Sequence, residues 1–276
     1  MLSAGWAWSD VDVAVPRPAQ RRPRVSMAGF SQRASTRWDI AMVAHPAVTV
    51  LVDLGDGLRY DSAGRGSVVI GLLPGELRAA GEARVECLQL RLEPAVAAAV
   101  LGPSTELTGT VVPLAEVWGR DAGRTEDRLR AAASWDERFA IATEVLDRRL
   151  DARARVDPEV AYAWRRLAAS HGQARVEGLA GEVGWSRTRL WSRFQSQLGI
   201  APKRAACLVR FDRAAHRLAA GHAAARVAAE CGYVDQSHLH REVTTFTGLT
   251  PTGLAAAPWL AIDDIAWPAS SPSPSR

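Results

Sequence analysis

A glycine and an aromatic residue precede a short helical pattern in Gly232-Tyr233-Val234-Asp235-Gln236-Ser237-His238-Leu239-His240-Arg241. The same arrangement occurs 48 residues earlier, where Ala180-Gly181-Glu182-Val183-Gly184-Trp185 matches Ala228-Ala229-Glu230-Cys231-Gly232-Tyr233. After a one-residue offset, Gly199-Ile200-Ala201-Pro202 matches Gly248-Leu249-Thr250-Pro251. This internal repeat predicts two copies of one helical unit in the last third of the 276-residue chain.

Each copy has the features of a helix-turn-helix. Two helices that cross closely need a small residue at the crossing, here Ala180 or Ala228. A glycine four residues later can take the left-handed conformation that turns the chain. The second helix then needs apolar residues four positions apart that face the core, and the two copies supply Leu190 with Phe194 and Leu239 with Val243.

The opposite faces of these second helices carry side chains suited to DNA. Arginine pairs with guanine, glutamine with adenine, and hydroxyls with bases or phosphates. A pair of solvated helical faces is the alternative, but two such faces at fixed spacing favour DNA binding. The first face presents Arg187, Thr188, Arg189, Trp191, Ser192 and Gln195, and the second presents Asp235, Gln236, Ser237, His240 and Arg241.

The charge of the chain is unevenly distributed. Eleven Lys or Arg and six Asp or Glu lie between His171 and Pro258. This segment therefore carries a charge of +5, and the rest of the chain carries about −1, which gives the total of +4. A basic module beside a near-neutral remainder is typical of nucleic-acid binding, although a solvated basic face would look similar.

The stretch from Gly232 to Arg241, continuing to Thr247-Gly248-Leu249-Thr250-Pro251, resembles the second helix-turn-helix signature of AraC/XylS-type transcriptional regulators. The segment from Leu179 to Pro202 resembles the first. The resemblance implies a long helix at about 202–218 that joins the two motifs. It also implies that the second helix of each motif enters successive major-groove segments of double-stranded DNA, roughly 10 bp apart.

Motif positions imply which side chains read bases. Trp191, Ser192 and Val243 depart from the residues common in the family, so we expect the DNA site itself to differ. The implied base readers are Thr188, Trp191, Ser192, Gln195, Gln236, Ser237, His240 and Arg241.

The first 124 residues have a β-rich texture. Short strand patterns occur at 48–54, 58–60, 67–73 and 84–92, and Gly55-Asp56-Gly57 is typical of a hairpin turn. They predict a small barrel or sandwich, preceded by a proline-broken arm up to about Val25. This region loosely resembles the cupin-like sensor of some AraC-type regulators, which implies a small-molecule effector or a homodimer. No effector-binding residue can be named.

Helical signals follow the strands. Ala95–Leu101 reads as a short helix, Ser134-Trp135-Asp136-Glu137 as a capping box, and Asp157-Pro158-Glu159 as a helix start with Asp157 as N-cap. We therefore predict a multidomain α+β protein. Its parts are a β-rich sensor or dimerisation domain at 1–124, a helical connector at 125–170, a tandem helix-turn-helix domain at 171–258 and a disordered tail at 259–276.

Composition narrows the function further. His45 is the only histidine before residue 171, so the first part cannot assemble a multi-histidine metal site, and we expect no metal or other cofactor. The widely spaced Cys87, Cys207 and Cys231 suit a reducing cytoplasm, with Cys207 and Cys231 as buried apolar residues. No apolar run predicts a membrane span.

A non-enzymatic transcriptional regulator is the expected function, with RNA polymerase as a further partner. An enzyme in the N-terminal barrel with a DNA-targeting appendage is the alternative. A third possibility is that the helical pairs bind a protein.

Overall fold

The early strands of the chain form two antiparallel sheets in the computed structural model. The structure describes residues 11–32, 38–55, 57–61, 63–72, 77–81, 85–102, 106–152, 156–256 and 263–267. The larger sheet has the strand order β1-β2-β9-β4-β7-β10, and the smaller has the order β3-β8-β5-β6. The strands are β1 Val11–Ala14, β2 Val25–Gln32, β3 Trp38–Met42, β4 Val48–Asp53, β5 Leu58–Tyr60, β6 Gly64–Arg65, β7 Val68–Ile70, β8 Leu77–Gly81, β9 Glu86–Leu92 and β10 Val111–Pro113.

The larger sheet is apolar on both faces. Strand β9 turns Leu88, Leu90 and Leu92 towards the helices, and Cys87 lies on the other face in a core shared with the smaller sheet. All six residues of β4 are buried because this strand lies between β9 and β7 and is covered on both faces. This two-sheet arrangement confirms the predicted β-rich N-terminal region.

The turn at 55–57 does not make the predicted hairpin. Strand β4 belongs to the larger sheet and β5 to the smaller one, so the chain crosses between sheets here. The buried carboxylate of Asp53 accepts the backbone N–H groups of Gly55 and Leu58 at 3.1 Å. These hydrogen bonds stabilise a change of direction, which glycine spacing alone does not distinguish from a hairpin.

Five α-helices of the described chain precede the repeat, and the first of them lies between β9 and β10. They are α1 Pro94–Leu101, α2 Leu114–Trp118, α3 Arg120–Ala131, α4 Trp135–Ala152 and α5 Pro158–Ala169. The predicted cap of α4 is present, because Glu137 N–H donates to Ser134 Oγ at 3.3 Å and its carboxylate accepts from Ala133 N–H at 2.9 Å. Asp157 precedes α5 as predicted, but its side chain makes no capping hydrogen bond there, because it binds Arg193.

The remaining described helices include both repeats. They are α6 Val176–Glu182, α7 Arg187–Leu198, α8 Pro202–Ala219, α9 Ala224–Glu230, α10 Gln236–Thr247, α11 Pro251–Ala255 and α12 Asp263–Ala266. Within the described residues, no helix is both long and apolar enough to cross a bilayer.

The C-terminal segment differs from the predicted disordered tail. Helix α12 packs beside β1, and Trp267 is only 2% exposed. The rest of the predicted tail, at 259–262 and 268–276, lies outside the described residues.

The β-rich and helical parts share one apolar core. Helix α1 packs against β9 on one side and against α4, α5 and α7 on the other. A polar contact also joins the two parts, since His45 Nε2 lies 3.8 Å from Asp212 Oδ1 on α8. The first repeat is therefore packed directly on the N-terminal part.

Candidate nucleic-acid interface

The first repeat forms a helix-turn-helix from α6 and α7. Gly184 takes the left-handed conformation with φ 67°, and Trp185 N–H donates to Ala180 O at 2.9 Å. Ser186 then caps α7 by accepting the backbone N–H of Arg189 at 3.2 Å. Ala180 therefore lies at the helix crossing and Gly184 makes the left-handed turn, as the repeat predicted.

The second repeat has the same geometry in α9 and α10. Gly232 has φ 76°, Tyr233 N–H donates to Ala228 O at 2.9 Å, and Asp235 caps α10 through His238 N–H at 2.7 Å. The one-residue offset between the copies arises at Val234, which lengthens this turn and is 88% exposed. The sequence pattern places Asp235 on the exposed face of α10. In the structure its carboxylate caps that helix.

Both second helices bury the predicted apolar residues. Leu190, Phe194, Leu239 and Val243 are each 0% exposed, and the two small crossing residues, Ala180 and Ala228, are also buried. The polar faces therefore point outward, as the four-residue spacing requires.

The outward faces contain nearly all the predicted DNA-contacting residues. Those exposed on α7 are Arg187, Thr188, Arg189, Trp191 and Ser192, and those exposed on α10 are Gln236, Ser237, His240 and Arg241. The structure thus brings each predicted set onto one face of one helix.

Gln195 differs from the rest of the predicted set. It is half-buried, and its Nε2 donates to the Gly199 carbonyl at the end of α7, at 3.0 Å. In this conformation the amide satisfies a carbonyl that the helix itself cannot pair. Gln195 would have to change rotamer before it could bind a base.

Two hydroxyl residues of the same faces were missed in the sequence. Ser196 lies one turn after Ser192, and Thr245 lies one turn after Arg241, and both are exposed. Their hydroxyls donate to backbone carbonyls of their own helices, at 3.1 and 2.8 Å. Ser196 and Thr245 follow predicted residues by four positions, so the helical period along the polar face predicts both of them.

Ion pairs neutralise part of the basic surplus. Arg187 pairs with Glu177 at 3.0 Å, and Arg226 pairs with Glu230 at 2.7 Å. Among the described residues, Arg189 and Arg241 make no ion pair, and the guanidinium of Arg189 stacks over the Trp185 ring at 4.5 Å. Each outward face therefore offers DNA at least one guanidinium that no acidic side chain of the described residues neutralises.

The central helix α8 connects the two motifs. It has 18 residues and is therefore about 27 Å long. Its Arg210 pairs with Glu242 of α10 at 2.8 Å, and Tyr233 Oη donates to the same carboxylate at 2.7 Å. These contacts fix α10 against α8, so the second motif cannot turn freely.

The three cysteines have different environments. Cys87 and Cys231 are buried, whereas Cys207 is half-buried, so the prediction of a buried residue is wrong for Cys207. Burial raises the pKa of the Cys87 thiol to about 12 and also raises the pKa of Cys207. Among the described residues, no group of three His, Cys, Asp or Glu could hold a metal ion.

A solvent-connected cavity of about 760 Å³ lies between the residues just before β2, Pro23 and Arg24, and helices α1, α4 and α5. Its walls are mainly apolar, with charged side chains at the rim. The lining residues include Arg24, Val96, Ala99, Asp151, Ala161 and Arg165.

Comparison with known proteins agrees with the C-terminal assignment. Residues 179–257 match the sequence profile of a family described as "Helix-turn-helix domain". None of the curated protein sequences matches the chain significantly.

Similarity to solved structures is weaker. The C-terminal domain of AraT, a response regulator from Geobacillus stearothermophilus, is 21% identical with a TM-score of 0.35, over 37% of this chain and 87% of that one. ToxT from Vibrio cholerae O395 is 8% identical with a TM-score of 0.47, over 87% of this chain and 98% of that one. With this helix-turn-helix domain at residues 179–257, the chain is a DNA-binding transcriptional regulator.

Proposed function

We propose that α7 and α10 read two adjacent major-groove segments of double-stranded DNA, under the control of the N-terminal part. In this proposal residues 1–124 sense or dimerise, 125–170 connect, and 171–258 bind DNA. The observation that supports it most directly is the pair of outward polar faces joined by an 18-residue helix. That helix is about 27 Å long, which is of the same order as one turn of B-DNA, about 34 Å.

Different side chains supply affinity and specificity in this proposal. Arg241 can donate two hydrogen bonds to guanine, and Gln236 can donate one hydrogen bond to adenine and accept another. Each good bidentate pair contributes about 1–3 kcal/mol of discrimination between bases. Thr188, Ser192 and Ser237 can donate to bases or phosphates. Arginine contacts with phosphates make the overall affinity fall steeply as salt rises.

Selection of fragmented genomic DNA by the full-length protein, followed by sequencing, tests this proposal. We expect enrichment of a non-palindromic motif with two parts about 10 bp apart. Ser192→Ala should weaken sequence preference in one part and Arg241→Ala in the other, whereas Arg128→Ala on α3 should change neither. Retention without a shared motif would contradict base reading by the two helices.

We also propose that the cavity between residues 23–24, α1, α4 and α5 binds a small effector. Its apolar walls suit an apolar body, and the charged side chains of both signs, Arg24 and Arg165 with Asp147 and Asp151, suit a polar group. Because α1 contacts α7, an occupant touching α1 can bias the first motif. Ala99→Trp, which fills the cavity, should abolish the stabilisation of the protein by any effector found in a thermal-shift screen. An effector that stabilises the variant equally binds elsewhere.

The proposed regulator is cytoplasmic and has no enzymatic activity of its own. A homodimer through the N-terminal part and contact with RNA polymerase complete the proposal. Stoichiometric, tightly bound metal in the purified protein would instead favour an enzyme in the N-terminal part. Weak affinity for duplex DNA even at low salt would favour a protein partner for the helical pairs.

A further inference from the structure

The C-terminal segment, residues 263–267, returns from the DNA-binding domain to the N-terminal sheet. Helix α12 packs beside β1, and Ala266 and Trp267 are each 2% exposed. Ile265 of the same segment is 62% exposed. The segment therefore contacts the sheet mainly through the indole ring.

A cleft on β2 and β9 receives this ring. Ser26 of β2 pairs with Arg91 of β9, so Arg91 shares a sheet face with Ala28 and Phe30, which are two and four residues along from Ser26. The small side chain of Ala28 leaves room for a flat group, and Ala28 is 0% exposed beneath it. The floor and one wall of the cleft are thus built by the sheet alone.

The contacts in the cleft are those of an aromatic-binding site. The Arg91 guanidinium carbon lies 4.2 Å from the centroid of the Trp267 ring, and the Phe30 ring lies 6.4 Å away at an angle of 56°. Cation–π and tilted ring contacts of this kind select a planar π system, and a guanidinium disfavours a cationic one.

Trp267 fits this cleft imperfectly. Its Nε1–H is buried and has no hydrogen-bond partner among the described residues. A buried indole N–H usually finds an acceptor, and leaving it unpaired opposes docking. A four-residue helix also adds little stability of its own. Within the described part of the chain, the docked ring thus leaves unpaired a donor that water would pair after release.

We propose that this cleft is a binding site for a planar aromatic ligand, neutral or anionic, and that Trp267 occupies it as a tethered internal ligand. An external aromatic and Trp267 exclude one another, so binding of the first releases the C-terminal segment. The site is separate from the cavity beside α1 and does not depend on the function proposed for that cavity.

Release of the segment removes a physical restraint. Residues 256–262 connect α11 to α12, and eight extended backbone steps span at most about 28 Å. While Trp267 is docked, the end of the second helix-turn-helix stays within that distance of the N-terminal sheet. Once the segment is released, only the chain through α4 and α5 and the packed core join the two parts.

Indole is the probe that tests the proposal in the full-length chain. We expect indole to raise the unfolding temperature of Trp267→Ala and to slow amide exchange at Ala28–Phe30. In the unaltered chain the tethered ring competes at millimolar effective concentration, so the same effect should need about tenfold more indole. High indole should then speed exchange at residues 263–267.

Two further variants control this experiment. Ile265→Ala changes an exposed neighbour and should respond to indole like the unaltered chain. Combining Trp267→Ala with Ala28→Leu fills the cleft and should remove the indole response. Equal responses of the unaltered chain and Trp267→Ala, or none in either, would overturn the proposal. If Trp267→Ala fails to fold, displacement of residues 263–267 in the unaltered chain decides the matter, and its absence overturns the proposal.

Discussion

Arg210 on the central helix and Glu242 on the second recognition helix are joined by an ion pair with 2.8 Å between Nη2 and Oε2. Tyr233, the aromatic residue of the turn, donates to the other oxygen of the same carboxylate. Burial raises the pKa of Tyr233, and the nearby negative charge raises it further, so the hydroxyl remains a donor at any physiological pH. The turn, the central helix and the recognition helix therefore meet at one carboxylate.

Removing this carboxylate should destabilise the second motif. The Arg210 and Glu242 side chains are 17% and 12% exposed, so Glu242→Ala leaves a mostly buried guanidinium without its partner. We expect a loss of about 2–4 kcal/mol in the free energy of unfolding, measured by urea denaturation. DNA affinity should fall as well, because α10 loses its fixed orientation.

Glu177→Ala is the control for this prediction. Glu177 also pairs with an arginine, but its side chain is 61% exposed, so its removal should cost clearly less than that of Glu242. Replacing Arg210 and Glu242 together by Met and Leu should recover much of the lost stability, since no charge is then stranded. Additive losses in the double variant would show that the two residues act independently.

Arg241→Ala should lower specific DNA affinity more than non-specific affinity. Arg241 is exposed on α10 and has no ion pair among the described residues, so its guanidinium can reach a base without breaking an internal contact. We expect a cost of about 1–3 kcal/mol on the selected site and a much smaller cost on scrambled DNA, measured by fluorescence anisotropy. Equal losses on both DNAs would assign Arg241 to the phosphates.

Asp157 gives the junction of α5 and α7 a pH dependence. Its carboxylate accepts two hydrogen bonds from Arg193, at 2.8 and 3.0 Å, and these hold its pKa below the ordinary 3.8. A lowered pKa means that the pair stabilises the fold above about pH 4 and that this contribution is lost as pH falls through the folded-state pKa.

The test compares Asp157→Asn with the unaltered chain at two pH values. At pH 7 the urea midpoint should fall by an amount worth less than about 1 kcal/mol, because the pair is partly exposed. At pH 3 the two chains should differ less. A difference that is unchanged at low pH would mean that the ionised carboxylate contributes nothing.

Gly172 and Gly184 differ in a way that separates backbone strain from a steric clash. Both have positive φ, at 75° and 67°, so an alanine at either should cost about 1–2 kcal/mol. A Cβ at Gly184 would meet nothing within 4 Å, whereas one at Gly172 would lie 2.2 Å from the Ala206 carbonyl oxygen.

Gly172→Ala should therefore cost a further 1–3 kcal/mol, roughly, beyond Gly184→Ala, because α5 and α8 must separate. Thermal unfolding of the two variants in parallel measures this difference. Equal losses of stability would mean that the contact between the end of α5 and α8 can widen without destabilising the protein.

The features that the sequence predicted are those determined by nearby residues. The turns at Gly184 and Gly232, the cap of α4 and the buried pairs such as Leu239 and Val243 depend on neighbours within about one turn, and these are confirmed. The features that it missed depend on distant partners. They are the change of sheet after Asp53, the binding of Asp157 to Arg193 and the docking of Trp267. Each depends on a part of the chain that is distant in the sequence and close in space. The sequence also did not predict that the Gln195 side chain turns to its own helix end.

The return of the C-terminal segment has a consequence for how the protein is made. Trp267 and Phe30 are 237 positions apart, so their contact closes nearly the whole chain into a ring. Contacts of such high sequence separation have a large entropic cost and tend to form late in folding. During synthesis β2 emerges long before Trp267, and its cleft stays open until the ribosome has added Trp267. A nascent chain would therefore expose an empty aromatic-binding cleft that the folded protein covers with this residue.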